Sequence, residues 1–183
     1  MPTIEFVPFD PATDLEALVT FLATNTYPYH VRPRLSPAQA RELVLGGRFW
    51  SDDSAGFWVD AAGERVGMVV IDDLADVADG GNPVFDLRLG EQHRGRRLST
   101  PILRALAALA FERWPGLTRF EGHTRDDNAA MRAAFRRAGW VKEGYFRDAW
   151  PVEGAGPRAS VTYAVLRRDW ESGTTTPVVW DDQ

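Results

Sequence analysis

The chain has 183 residues, 44% of them hydrophobic and 26% charged, with a formal net charge of −5 and a pI near 5.2. That length suits one domain with a sizeable core, and the acidic balance argues against nucleic acid as the main partner, because phosphate-backbone binding draws on excess Lys and Arg. Cys is absent, which excludes disulfides, a thiolate nucleophile and a Cys-based zinc site.

From the N-terminus, Ile4 and Phe6 alternate in a first strand at 3–9, closed by Pro8 and Pro11. Leu15, Leu18, Val19, Phe21 and Leu22 recur at helical spacing up to about Thr24. Ser36, Pro37 and Gln39 form a helix start as cap, first-turn proline and capping-box partner, and Gly46-Gly47 is the stop. Between these helices lies an aromatic, proline-rich loop at 27–34. Strands at 56–59 and 66–71 flank a turn at 60–63; the acidic stretch 72–82 reads as a loop and 84–89 as the next strand.

Leu98, Ile102, Leu106, Leu109 and Ala110 make one apolar face of a helix over 98–113, ended by Pro115-Gly116. A strand at 117–124 follows. Asp126 or Asp127 caps a short helix with Met131, Ala134, Phe135 and Ala138 on its apolar face, stopped by Gly139. Strands at 140–150 and 159–166 complete the order β-α-α-β-β-β-α-β-α-β-β. The strands at 84–89 and 117–124, joined by one helix, predict a parallel βαβ crossover. The class is α+β, one domain over 1–171 with a loosely held polar tail at 172–183.

No apolar run approaches the ~20 residues that span a bilayer, and the N-terminus lacks the basic and apolar regions of a secretory signal. His30, His93 and His123 are not spaced as a metal-binding pair. A cytoplasmic protein without a metal and without a membrane or nucleic-acid partner is expected, and its Trp content is compatible with a homodimer.

The most informative stretch runs from Leu87-Arg88-Leu89 through Gln92, His93, Arg94, Gly95, Arg96, Arg97, Leu98 and Ser99. A strand enters a basic, glycine-containing turn that opens an amphipathic helix. The first amides of a helix lack internal partners and its dipole adds partial positive charge, so the pattern predicts an anion site. Arg94, Arg96 and Arg97 add guanidinium donors for phosphate. The plainer alternative is a solvated basic turn.

This stretch resembles the R/Q-x-x-G-x-G/A loop of the GNAT acetyltransferase superfamily. Read from Arg94 it keeps the leading Arg and the helix phase but has Arg97 and Ser99 at the glycine positions; read from Gln92 it keeps Gly95 and starts the helix two residues early. The run from Asn128 through Met131, Ala134 and Phe135 to Gly139-Trp140 is similar to a second segment of the same family. Phe146-Arg147-Asp148-Ala149 and the stretch from Val161 to Trp170 resemble the branch that acetylates ribosomal-protein N-termini.

The resemblance implies the GNAT fold, a central mixed, mostly antiparallel sheet of about seven strands flanked by about four helices. It implies transfer of an acetyl group from acetyl-CoA to a primary amine, of a small molecule or a protein N-terminus, by direct attack without a covalent enzyme intermediate. Leu87, Arg88 and Leu89 would hold the pantetheine arm, Arg94, Gly95, Arg96, Arg97, Leu98 and Ser99 the pyrophosphate, and Asn128 the pantetheine again, unless Asn128 only caps its helix. The family's general-acid Tyr is replaced by Phe135, leaving the thiolate to water, Ser99 or Tyr145. For the base, Asp86 and Glu121 stand on the flanking strands, with His123 on the face of Glu121; the plainer alternatives are a solvent-facing Asp86 and a structural ion pair of Glu121 with Arg119 or Arg125. Tyr27, Tyr29 and Arg32 lie where the family shapes its acceptor site, and Trp50, Phe57 and Trp58 are either core or acceptor pocket. The alternative function is an acyl-CoA-binding or regulatory module with little or no turnover.

Overall fold

The computed structural model describes residues 2–180, apart from the side chain of Asp76. Its elements are β1 (Ile4–Pro8), α1 (Leu15–Thr24), α2 (Pro37–Leu45), β2 (Trp50–Ser51), β3 (Ser54–Ala61), β4 (Glu64–Asp72), β5 (Val84–Leu89), α3 (Ser99–Arg113), β6 (Arg119–Arg125), α4 (Ala129–Arg137), β7 (Val141–Trp150), β8 (Arg158–Leu166) and α5 (Arg167–Ser172). Short 3-10 turns occupy Ala75–Asp79 and Glu91–His93. The architecture is the α+β arrangement read from the sequence.

The single central sheet is instead parted in two. One sheet has the order β1-β3-β4-β5 with β2 on β3, the other β6-β8-β7, and every pairing within them is antiparallel. Among the described residues, the backbone link recorded between the β5 and β6 sides is the Glu121 amide on the Pro83 carbonyl at 3.4 Å. The predicted βαβ unit is therefore present as a sequence of elements but not as a hydrogen-bonded parallel pair. The facing edges of β5 and β6 lack a ladder, and the chain's cleft lies there.

Both faces of the first sheet are covered, which explains the near-continuous burial of β4. On one face Phe57, Val59, Val69 and Ile71 pack with Ile102, Leu103 and Leu106 of α3 and with Phe120, Phe135 and Tyr163. On the other, Trp58, Met68 and Val70 pack with Leu18, Leu22, Ala40 and Val44 of α1 and α2. Gly122 is the close-approach point between the sheets: a Cβ there would sit 2.5 Å from the Phe85 ring and 2.9 Å from that of Phe135. Phe57 and Trp58 are thus core residues.

Ser36 accepts from the Gln39 amide while Gln39 reaches back, completing the predicted capping box on α2. On α4 the cap is Asn128, not Asp126 or Asp127: its Oδ1 accepts from the Met131 amide at 3.2 Å. Those aspartates are drawn to Arg158 and Arg125 instead. On α3 the N-cap position is Leu98, which has no side chain able to accept. At the other end of α3, Arg167 donates to the carbonyls of Phe111, Trp114 and Leu117. That contact opens the unpredicted helix α5, whose Asp169 accepts from the amide and hydroxyl of Thr176 and so ties down the start of the tail.

Candidate functional site

Between the two sheets a cavity of about 290 Å³ is lined by β5, the 93–99 turn and the start of α4, and a second of about 550 Å³ adjoins it toward α2. The two share Tyr29, His30, Leu87, Arg88, Asn128 and Met131, so they are two ends of one cleft.

The smaller end is marked by its main chain. Among the described residues the amides of 95–100 have no acceptor in the protein, and α3 begins there without a cap. Gly95 (φ 74°) and Arg97 (φ 60°) are both left-handed, which alternates the direction of successive amides. Consecutive unpartnered amides in such a turn, at the positive end of a 15-residue helix, form an anion nest. Arg97 stands where a glycine would adopt this conformation freely; holding a side chain there costs on the order of 1–3 kcal/mol.

The three arginines of the turn have three different fates. Arg94 turns inward, donating to the Leu89 carbonyl at 3.2 Å and to the Thr26 carbonyl, beside the Tyr27 ring. Arg96 folds back onto Glu64 and His93, at 3.2 and 2.9 Å. Arg97 is exposed, lines the smaller cavity and has no partner among the described residues. It is the guanidinium left available to an anion. Leu98 and Ser99 line the same end, as do Leu87, Arg88 and Leu89.

The larger end is built from side chains. Asp86 is held by Arg88 at 2.9 Å, by Arg48 at 3.5 Å and by His30 at 3.6 Å, while Arg48 also reaches Asp72 at 2.9 Å. Burial by itself would raise the Asp86 carboxyl, but the guanidinium groups of Arg88 and Arg48 outweigh it and hold the group well below the usual carboxylate range. His30 is pushed down to about 4, chiefly by burial and by Arg88, Arg48 and Arg94, against the opposing pull of Asp86. Its imidazole is neutral at pH 7. Only the fold brings His30 onto Asp86 and into both cavities, and its local sequence carries no signal of that.

Glu121 and His123 form a separate cluster on the second sheet. His123 Nε2 lies 2.9 Å from Glu121, and its Nδ1 lies 3.1 Å from Thr162 Oγ1. Arg119 binds Glu121 and, at 2.7 Å, Glu143. The His123 hydrogen bond, with Arg119 and against burial, holds the Glu121 carboxyl below its ordinary range. His123 lines the larger cavity, whereas Glu121 lies behind it and lines neither.

The acceptor-site expectations divide. Tyr29 and Arg32 are exposed and line the larger cavity. Tyr27 is buried, its hydroxyl donating to the Phe21 carbonyl at 2.9 Å and its ring covered by Arg88 at 4.8 Å; burial pushes its phenol up. Its edge meets the smaller cavity. Asn128 caps α4, donates to Thr124 Oγ1 at 3.1 Å and also lines both cavities. Phe135 is fully buried, stacked on Tyr163 at 4.7 Å, and Tyr145 lies in a separate surface pocket. Among the described residues no group of His, Asp or Glu is arranged to hold a metal, and no helix is long and apolar enough to cross a membrane.

Residues 3–141 match the family model described as Acetyltransferase (GNAT) domain. Solved structures share the fold. A crystal structure described as a "probable acetyltransferase" is 24% identical, with 92% of this chain and 94% of that chain covered and a TM-score of 0.71. The Salmonella typhimurium acetyl transferase that modifies the N-terminal serine of a 50S ribosomal subunit protein is 20% identical, covering 90% and 95%, with a TM-score of 0.71. Spermidine N-acetyltransferase from Vibrio cholerae, in complex with CoA and spermine, is 15% identical, covering 92% and 98%, with a TM-score of 0.75.

Proposed function

The chain belongs to the GNAT acetyltransferase family, and we propose that it transfers an acetyl group from acetyl-CoA to a primary amine by direct attack within the cleft between β5 and β6. The observation that carries the reading is the row of unpartnered amides at 95–100 on the uncapped start of α3, which suits a pyrophosphate. Acetyl-CoA supplies the acyl group already activated as a thioester.

The chain's own residues do the rest. The 95–100 amides and the Arg97 guanidinium bind the phosphates, and the open edge of β5 at Leu87, Arg88 and Leu89 aligns the pantetheine arm, with Asn128 opposite. Holding two reactants in line contributes up to ~7–11 kcal/mol of barrier reduction in favourable cases. His30, where the cavities meet, accepts the amine's proton at its imidazole, oriented by Asp86 on the Nδ1 side. The acceptor reaches the thioester as the free amine, its ammonium proton given up to bulk water; the proton released as its nitrogen bonds to carbon is far more acidic than that of an amine, so a base of low pKa serves at that stage. Asp86 is therefore a positioning residue, and Glu121 has the same relation to His123 on the cavity wall. Phe135 removes the usual general acid; Ser99, Tyr27 and Tyr29 are the hydroxyl-bearing residues on the smaller cavity, the Tyr27 hydroxyl being given to the Phe21 carbonyl, and a thiolate departs with little assistance.

Calorimetric titration with acetyl-CoA, followed by thiol release with a panel of amines, tests this. Micromolar-range binding and amine-dependent release are expected. Failure to bind CoA rejects the proposal. Binding without release on any amine, N-terminal peptides included, favours the binding-module alternative that Arg97 and Phe135 raise.

A further inference from the structure

The charges around the larger cavity specify more than an amine. Asp72 and Asp86 are its lining carboxylates, and both are taken: Asp86 by Arg88 and Arg48, Asp72 by Arg48. Arg32 lines the same wall, is exposed, and has neither an ion-pair nor a hydrogen-bond partner among the described residues. Three guanidinium groups thus face two carboxylates, and the cation left over is the one on the outer wall. The loop that carries Arg32 is fixed, because the Glu153 amide donates to the Val31 carbonyl at 3.0 Å and Arg125 to the Pro28 carbonyl at 3.0 Å.

Resting on the acyl-transfer reading, we infer that the acceptor is an amine that also carries a carboxylate, recognised by Arg32, and not a polyamine. A guanidinium binds a carboxylate in a two-pronged, charge-assisted geometry. A polyamine's second ammonium would meet no free carboxylate on this wall and would stand near an uncompensated cation. The same carboxylate chemistry has two sources: a small amino acid, or a peptide with an acidic residue close to its N-terminus.

The test compares kcat/KM for γ-aminobutyrate against its amide, for a C-terminally amidated short peptide with Asp at its second position against the Asn isostere, and for spermidine. Because Arg32 is exposed, the acidic member of one pair is expected to lead by roughly tenfold, mainly through KM, and the advantage shrinks at high salt. The pair that shows it identifies the source. Arg32→Gln is expected to bring that ratio to within about twofold, and Arg32→Glu to invert it in favour of the neutral member and to raise kcat/KM for spermidine, the salt response disappearing or reversing with it. Ratios near one in the native protein, a native preference for spermidine, or an Arg32→Gln ratio equal to the native one each overturn the inference while leaving acyl transfer standing. Absence of transfer to every amine overturns acyl transfer and the inference together, so the two failures are distinguishable.

Discussion

At the α3 end of the cleft the distinguishing feature is main chain, the unpartnered amides of 95–100 on the uncapped start of α3, whereas at the α2 end it is charged side chains, chiefly Arg32, Arg48, Asp72, Asp86 and His30. The first is held by local geometry: two left-handed residues and a helix start without a cap. The second is held by partners distant in sequence, with His30, Arg48 and Asp86 drawn from three different elements. A cradle of amides carries no titratable group and tolerates changes of side chain. A charge cluster can be retuned or broken by one substitution. The end proposed for the constant phosphate group is accordingly the backbone end, and the end proposed for the variable acceptor is the side-chain end.

That contrast predicts where single changes act. The largest effect belongs to the side-chain end: His30→Gln is expected to lower kcat/KM by roughly a hundredfold or more while acetyl-CoA affinity stays within about twofold. Steady-state kinetics beside calorimetry check this, and an active variant removes His30 from the mechanism. The same residue governs stability against pH. Its pKa is depressed from 6.5 to about 4 in the folded state, so between those values the unfolded chain binds the extra proton. Stability is then fully present above about pH 6.5 and is lost as pH falls toward 4, by up to about 3 kcal/mol. Urea unfolding across that window should show the slope in the native protein and lose it in His30→Gln.

At the backbone end, Ser99→Glu places a negative charge in the first turn of α3. It should weaken acetyl-CoA binding by roughly ten- to a hundredfold without lowering Tm, since an acidic residue there gains ~0.3–1 kcal/mol from the helix dipole. Equal loss of binding and stability would mean that the turn is merely damaged. The smallest effect is that of Arg97→Gly. Relief of left-handed strain is offset by a more flexible unfolded chain, so stability should change by less than about 1 kcal/mol. Loss of the free guanidinium should reduce affinity a few-fold; an increase would show that Arg97 obstructs the nest.

Legibility in sequence follows the same division. The bounds of β5 matched the reading because its apolar and polar residues alternate between turn signals, and the α2 capping box was explicit in Ser36 and Gln39. The cap of α4 was misassigned by one or two residues because Asp126, Asp127 and Asn128 are all good caps, and Arg158 and Arg125 claim the first two. α5 was missed because its hold on α3 comes from Arg167, about 50 residues away in the chain, in keeping with how little a short helix stabilises itself.

By itself the sequence determined the α+β class, the strand–turn–helix around Gly95, the capping box of α2 and the absence of any cysteine chemistry. Those depend on periodicity, turn residues and composition, which act within a few residues. Tertiary structure alone decided that β5 and β6 lack a common ladder, that Arg94 and Arg96 turn away while Arg97 stays free, and that His30 meets Asp86. Each of these is a choice among partners made by packing. A long charged side chain has several carboxylates and carbonyls of similar worth in reach, and only the folded backbone ranks them.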